Sequence, residues 1–346
     1  MKYHILPLLL FIASVSAAQD SSDKKSLTIS GYADFYYQYD LNNPSSKDRP
    51  GFLYNFKRHN EFNVNLAFLK AAYNEKRLRA NLAFMTGTYP QYNLAAESSL
   101  MQHVFEANIG YAFSDKWSMD AGILPSHIGL ETAISKDNWN LGRSILAENT
   151  PYYESGVKLN YIPNDKWSAS VLVLNGWQNI KENNSRKAIG TQVQFKPNDK
   201  LLFNSSTFVG NEKPDSVKQT RLFHNFYAVY SSSKKINLAV LLDAGVENKK
   251  GWYGAALLLQ YLCGQKISTA FRLEYYSDKK EALISANQPG GFQTTGLALN
   301  LDYTPVKNIS FRAEARYLHS ANAIFEKDGL AKKNNFSLLG IVAVVF

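Results

Sequence analysis

From Leu27 onward the chain alternates apolar and polar residues with a period of two. The pattern is clearest over Leu78–Phe84, Ile267–Tyr276 and Ile309–Leu318. In the second run Ile267, Thr269, Phe271, Leu273 and Tyr275 share one side, and Ser268, Arg272 and Glu274 the other. In the third, Ile309, Phe311, Ala313, Ala315 and Tyr317 oppose Ser310, Arg312, Glu314 and Arg316. Successive side chains of a strand point to opposite faces, so each run predicts a β-strand with one apolar and one charged face.

A turn pattern recurs between the runs: an aromatic residue, a few turn formers, a lysine, then a new strand. It follows Tyr73, Phe113, Tyr161, Phe195, Tyr230, Tyr261 and Tyr303, and the terminal Phe346 makes an eighth aromatic strand end. Longer connections fall near residues 40–60, 87–102, 125–152, 176–185, 211–219, 247–250, 278–290 and 319–333. Short turns on one rim and long loops on the other are the habit of membrane β-barrels. The expected fold is all-β: a transmembrane antiparallel barrel of about sixteen strands, within 14–18, with short periplasmic turns and long extracellular loops. A soluble sandwich would also alternate, and a propeller would also repeat. The first does not explain aromatics set beside the short turns. The second needs four short strands per repeat, and here there are two.

Composition supports this reading. There are 21 Tyr, 20 Phe and 5 Trp, yet mean hydropathy is −0.28. A barrel with a greasy outside and a polar inside reconciles the two. Trp117 and Trp167, each after Asp-Lys, are expected at one depth in an aromatic girdle. The formal charge of +9 bears on ion traffic and anionic lipid rather than on fold. Cys263 is the only cysteine, so no internal disulfide forms. At the N-terminus Lys2, the apolar run Ile5–Val15 and Ser16-Ala17-Ala18 read as a signal peptide over residues 1–18, leaving residues 19–346 as one barrel domain.

One long stretch breaks the alternation. Pro125–Pro151 carries Glu131, Lys136, Asp137, Arg143 and Glu148. A loop of this length in an ordered chain is usually functional. It is expected to hang between the fifth and sixth strands and constrict the lumen; the plainer alternative is a loop packed over the barrel mouth. Inward-facing charges expected to line the lumen are Arg79, Glu106, Glu154, Lys158, Arg272, Glu274, Arg312, Glu314 and Arg316. Arg or Lys on the lipid side would cost about 2–4 kcal/mol each at the midplane. Arg272 with Glu274, and Arg312 with Glu314 and Arg316, form same-face ladders that either brace the wall or tune conduction.

Enzyme chemistry finds little support. There is no G-x-S-x-G, no H-x-x-x-H, no cysteine pair and no P-loop. Ser126-His127 and His319-Ser320 are neighbours in sequence, which on strands places them on opposite faces. No catalytic, cofactor-binding or metal-binding residue is expected, and no nucleic-acid partner.

Several segments resemble one family. Ile128-Gly129-Leu130-Glu131, Asn138-Trp139-Asn140, Arg143-Ser144, Pro151-Tyr152-Tyr153 and Gly156-Val157 follow one another, and this series resembles the loop-and-strand core of the OmpL-like outer-membrane β-barrel porins (porin-2 type). Phe346, with Val344 and Val342 behind it, is similar to the assembly signal of outer-membrane barrels. The resemblance implies a passive diffusion channel for small hydrophilic solutes in the cell outer membrane. A substrate-selective channel for anions or sugars, and a closed barrel serving as adhesin or anchor, are the alternatives. Expected partners are outer-membrane lipid, the barrel assembly machinery and the solutes themselves, with self-association left open.

Overall fold

The last strand pairs with the first, and this closes the sheet. The computed structural model describes residues 26–231 and 235–346; the signal-peptide reading of residues 1–18 lies outside them. The strands are β1 (Leu27–Asp40), β2 (Phe62–Glu75), β3 (Leu78–Thr86), β4 (Val104–Ala112), β5 (Trp117–Pro125) and β6 (Tyr153–Asn164). They continue as β7 (Trp167–Leu174), β8 (Ala188–Asn198), β9 (Leu201–Asn211), β10 (Thr220–Ser231), β11 (Ile236–Glu247) and β12 (Lys250–Leu262). Then come β13 (Ile267–Asp278), β14 (Phe292–Val306) and β15 (Ile309–Ser320). A small hairpin, β16 (Phe325–Lys327) and β17 (Leu330–Lys332), interrupts the last long connection before β18 (Asn334–Val345).

Sixteen of these form a closed antiparallel barrel in chain order, with β18 between β15 and β1. Closure leaves no unpaired strand edge in the apolar layer, where an unmet backbone group would be costly. The expected strand count is therefore met. So is the expected division of connections, with one correction. Residues 247–250 are not a long loop: Asn248 and Lys249 alone make the turn, both with positive φ (47° and 63°), as the primed two-residue hairpin turns require.

Outward positions are apolar. Phe271, Leu273, Leu297, Leu299 and Leu301 are exposed on adjacent strands and would contact lipid. Near the short-turn rim Trp117 stacks on its cross-strand partner Tyr161 at 4.4 Å, and Trp167 on Phe195 at 4.2 Å. These rings form the aromatic girdle at the interface, where an amphipathic ring is at home.

The seam between β1 and β18 has its own fastener. Gly31 N donates to the Phe346 carbonyl at 2.8 Å, and Phe346 N returns a bond to Gly31 O at 3.1 Å. The Phe346 ring lies so close over Gly31 that a Cβ there would come within 2.3 Å of it. A larger residue there would push the ring aside. Removing Phe346 is expected to lower outer-membrane levels severalfold and leave chain in the periplasm, read by cell fractionation and heat-modifiable gel mobility; levels equal to the parent would contradict the role.

The barrel interior is not uniformly polar. Inward side chains of β7–β12, including Leu172, Phe208, Phe223, Leu241, Trp252 and Leu258, form an apolar cluster. Phe52 and Leu53 from the first long connection, and Ile128, Ile145 and Leu146 from residues 126–152, pack into it. That sector of the lumen is filled with protein.

Candidate functional site: an inner loop anchored across the lumen

Residues 126–152 leave the end of β5, cross the lumen and return to the start of β6. Their own hydrogen bonds give them shape. Asn138 pairs with the backbone of Thr132 in both directions, at 2.8 and 2.9 Å. Ser144 caps the short helix α1 (Ile145–Glu148), its hydroxyl accepting from Ala147 N at 3.1 Å. The same hydroxyl donates to Glu131, whose carboxylate also accepts from Ser144 N.

One end of the loop is fixed by His127, which is buried. Its Nδ1 lies 2.8 Å from Glu154, its Nε2 lies 2.9 Å from the Thr207 carbonyl, and its own carbonyl accepts from Gln192 and Ser206. Gly129 N donates to Asn225. Five strands, β6, β8, β9, β10 and β5 itself, therefore hold this end.

The far side is fixed by β13–β15. Arg312 donates to the carbonyls of Ser135, Asn138 and Trp139 while pairing with Asp302 at 2.7 Å. Leu141 N reaches Asn300 Oδ1, and Gly142 N reaches Glu314 Oε2 at 3.1 Å. Gly142 is needed here, because a Cβ would sit 2.7 Å from the Glu314 carboxylate. Arg272 donates to the Gly142 carbonyl and Ile145 N donates to Glu274 at 2.6 Å. Arg316 closes the network on Glu274 at 2.7 Å. A loop without a ladder must satisfy its peptide groups elsewhere, and the wall charges do so.

The expected lining residues thus divide. Arg79 (paired with Asp120 at 2.7 Å), Glu106 (paired with Lys70 at 2.7 Å) and Lys158 lie on the β2–β6 side, away from the anchored loop's wall contacts. Glu154, Arg272, Glu274, Arg312, Glu314 and Arg316 point inward as expected, but the loop covers them, all 5% exposed or less. They anchor the loop and do not line open water. The two ladders are real only in part: Arg272 pairs with Glu274 at 3.3 Å, while Arg312 turns to Asp302 and Arg316 to Glu274.

Of the five loop charges, only Lys136 and Asp137 are exposed. Lys136 reaches the Lys307 carbonyl at the opposite short-turn rim, at 3.3 Å. Burial raises the pKa of Asp137, against the pull of Lys136. Glu131 is buried near Arg272, 3.6 Å away; burial raises its pKa and the guanidinium opposes that. Glu148 accepts from Tyr54 N and Tyr152 OH at 2.8 and 2.7 Å. Arg143 does not meet Glu154, which His127 occupies; its guanidinium instead lies 3.6 Å from the centre of the Tyr152 ring. Nothing in the sequence marks His127, Asn225 and Asn300 as anchors, His127 being weighed there only for catalysis, since a polar inward residue looks alike whether it meets water or a loop.

Solved structures share this architecture. An anion-selective porin from Comamonas acidovorans superposes with a TM-score of 0.62 at 10% identity, covering 93% of this chain and 99% of that one. The outer-membrane expressed OmpT of Vibrio cholerae gives 0.59 at 9% identity over 94% and 100%. The high-pH structure of Pseudomonas putida OprB gives 0.59 at 9% identity over 93% and 94%. At these identities the likeness speaks for the fold. No protein of curated function matches the sequence. The family described as "Putative beta-barrel porin-2, OmpL-like" matches residues 26–346, so this chain belongs to that family and is a porin of the cell outer membrane.

Proposed function

We propose that small hydrophilic solutes cross this porin passively along the β2–β6 side of the lumen, and that residues 126–152 narrow the way. The observation that carries the reading is the anchoring of one loop to opposite walls. It commits the β7–β15 sector to packed protein; a second apolar cluster, with Leu66, Met85, Tyr89, Leu94 and Tyr153, fills part of the β2–β6 sector, which also keeps inward polar groups. That sector presents water-compatible groups: Arg79 with Asp120, Lys70 with Glu106, Asn108, Asn160 and Lys158. No chemical step is required, because sieving by width and by the field of the lining charges suffices. A depression of about 1340 Å³ around Ala313, Ala315 and Gly340 is on the lipid side and plays no part in the route.

Lys158 supplies the test. It stands opposite Asp120 on the neighbouring strand, with no ion pair of its own among the described residues. In a narrow lumen a fixed charge is screened less than on an open surface. Lys158→Glu should shift the reversal potential across a KCl gradient toward cations, with the barrel intact. An unchanged potential would place the route elsewhere.

A further inference from the structure

Between the inner loop and the β2–β6 wall lies a cavity of about 320 Å³. Five aromatic rings border it, those of Phe68, Tyr89, Phe105, Tyr152 and Tyr153. Phe68 and Phe105 stack from adjacent sectors of the barrel, ring centres 4.8 Å apart and nearly parallel at 7°. Tyr152 and Tyr89 also border it, their rings meeting edge to face at 5.2 Å. The volume is at the small end of organic-ligand sites, roughly 300 Å³ and upward.

Arg143 also borders this cavity. Only 2% of the residue is exposed, and its Nε and Nη1 are buried with no hydrogen-bond partner among the described residues. Buried guanidinium donors are almost always satisfied, so an orphaned pair calls for a reason. The nearby acids make other contacts, although Glu148 Oε1 is buried without a hydrogen-bond partner among the described residues. Glu131 takes Ser144 and faces Arg272, Glu148 takes Tyr54 and Tyr152, and Glu106 takes Lys70. Asp137 borders the cavity but is exposed to solvent. A cation held over a ring, with two buried donors unpaired, beside a cavity bordered by aromatic rings is what an amphipathic anion would fill.

We infer that this cavity is a binding subsite for a small carboxylate with a flat apolar body, the simplest being an aromatic monocarboxylate. The carboxylate accepts from the Arg143 guanidinium, and the ring packs against Phe105 and Phe68 on one side and Tyr152 on the other. The inference rests on the passage reading above, since it names a solute class that the constriction would retain. A free inorganic anion satisfies the charge but not the slot; a neutral ring satisfies the slot but not the charge.

Benzoate is the probe. Equilibrium binding to the folded protein in detergent should show saturable uptake, with benzyl alcohol and chloride each competing about ten-fold more weakly or worse. Arg143→Gln and Phe105→Ala should each lower benzoate affinity about ten-fold, with heat-modifiable gel mobility confirming a folded barrel. Benzyl alcohol or chloride competing as well as benzoate would overturn the inference, and that comparison needs no variant. So would parent-like binding by folded Arg143→Gln. Absence of benzoate binding in protein that conducts KCl normally refutes the subsite and leaves the passage standing. Benzoate binding without any KCl conductance supports the subsite and sinks the passage.

Discussion

Glu274→Ala is expected to release the far side of the inner loop and raise the single-channel conductance, with a broader distribution of conductance levels. One carboxylate holds three groups: Arg272, Arg316 and the backbone N–H of Ile145. All of these are buried. Removing it leaves the Arg316 guanidinium without its carboxylate in a closed space, and Arg272 with Glu131 alone, 3.6 Å away. Breaking a buried pair in this way costs about 3–5 kcal/mol. The barrel wall keeps its ladder, with β13 paired to β12 and β14 along its length, so the cost falls on the loop. Once the loop lifts, water reaches Arg272 and Arg316 and the penalty disappears. Limited proteolysis should then cut within residues 126–152, and Glu274→Gln, which keeps an acceptor for Ile145 N, should be milder. Parent-like conductance and protease resistance in Glu274→Ala would show that the network does not hold the loop.

Most of the wall was legible in the sequence. Ile309–Leu318 alternates without a break because one face meets lipid and the other a charged interior, and β15 runs Ile309–Ser320. The aromatic–Lys turns marked seven hairpins because the girdle and the short rim recur at fixed depth. What could not be read was the second use of the interior. Ala239, Leu241 and Leu258 point inward although neighbours Val240 and Leu242 face lipid, so β11 and β12 are apolar on both sides. Both faces are buried, one by bilayer and one by a loop, and alternation vanishes. That loss of alternation is the signal that something packs inside.

The site was legible in position and not in role. The stretch that breaks the strand pattern is the one that folds inward. Yet Glu131 and Glu148, which look like constriction charges, accept backbone and hydroxyl donors in the loop's own framework. Arg312, placed on the wall as a lining charge, serves three loop carbonyls. An ionised side chain on an inward strand position reads the same whether its partner is water, another side chain or a peptide group. Only the path of residues 126–152 decides, and a loop's path follows from contacts far apart in sequence.

Deleting Ser135–Ile145 is expected to have the largest effect on passage. The segment contains every loop group hydrogen-bonded by Arg312, Asn300, Glu314 and Arg272, and the Ile145 N–H bound by Glu274; only the Glu131–Arg272 contact at 3.6 Å lies outside it. Without it the remainder stays with β5, β6 and the His127 anchor, and the β13–β15 charges face water, where they hydrate. The sheet loses no ladder bond, because the deleted residues lie between β5 and β6. The deciding measurement is therefore the single-channel conductance of this variant against the parent, in the same bilayer and salt, with folded protein confirmed by heat-modifiable mobility. A loop that narrows the passage predicts a rise of about two-fold or more. Equal conductance in the two proteins would mean that residues 135–145 do not obstruct the route, and the central claim would fail.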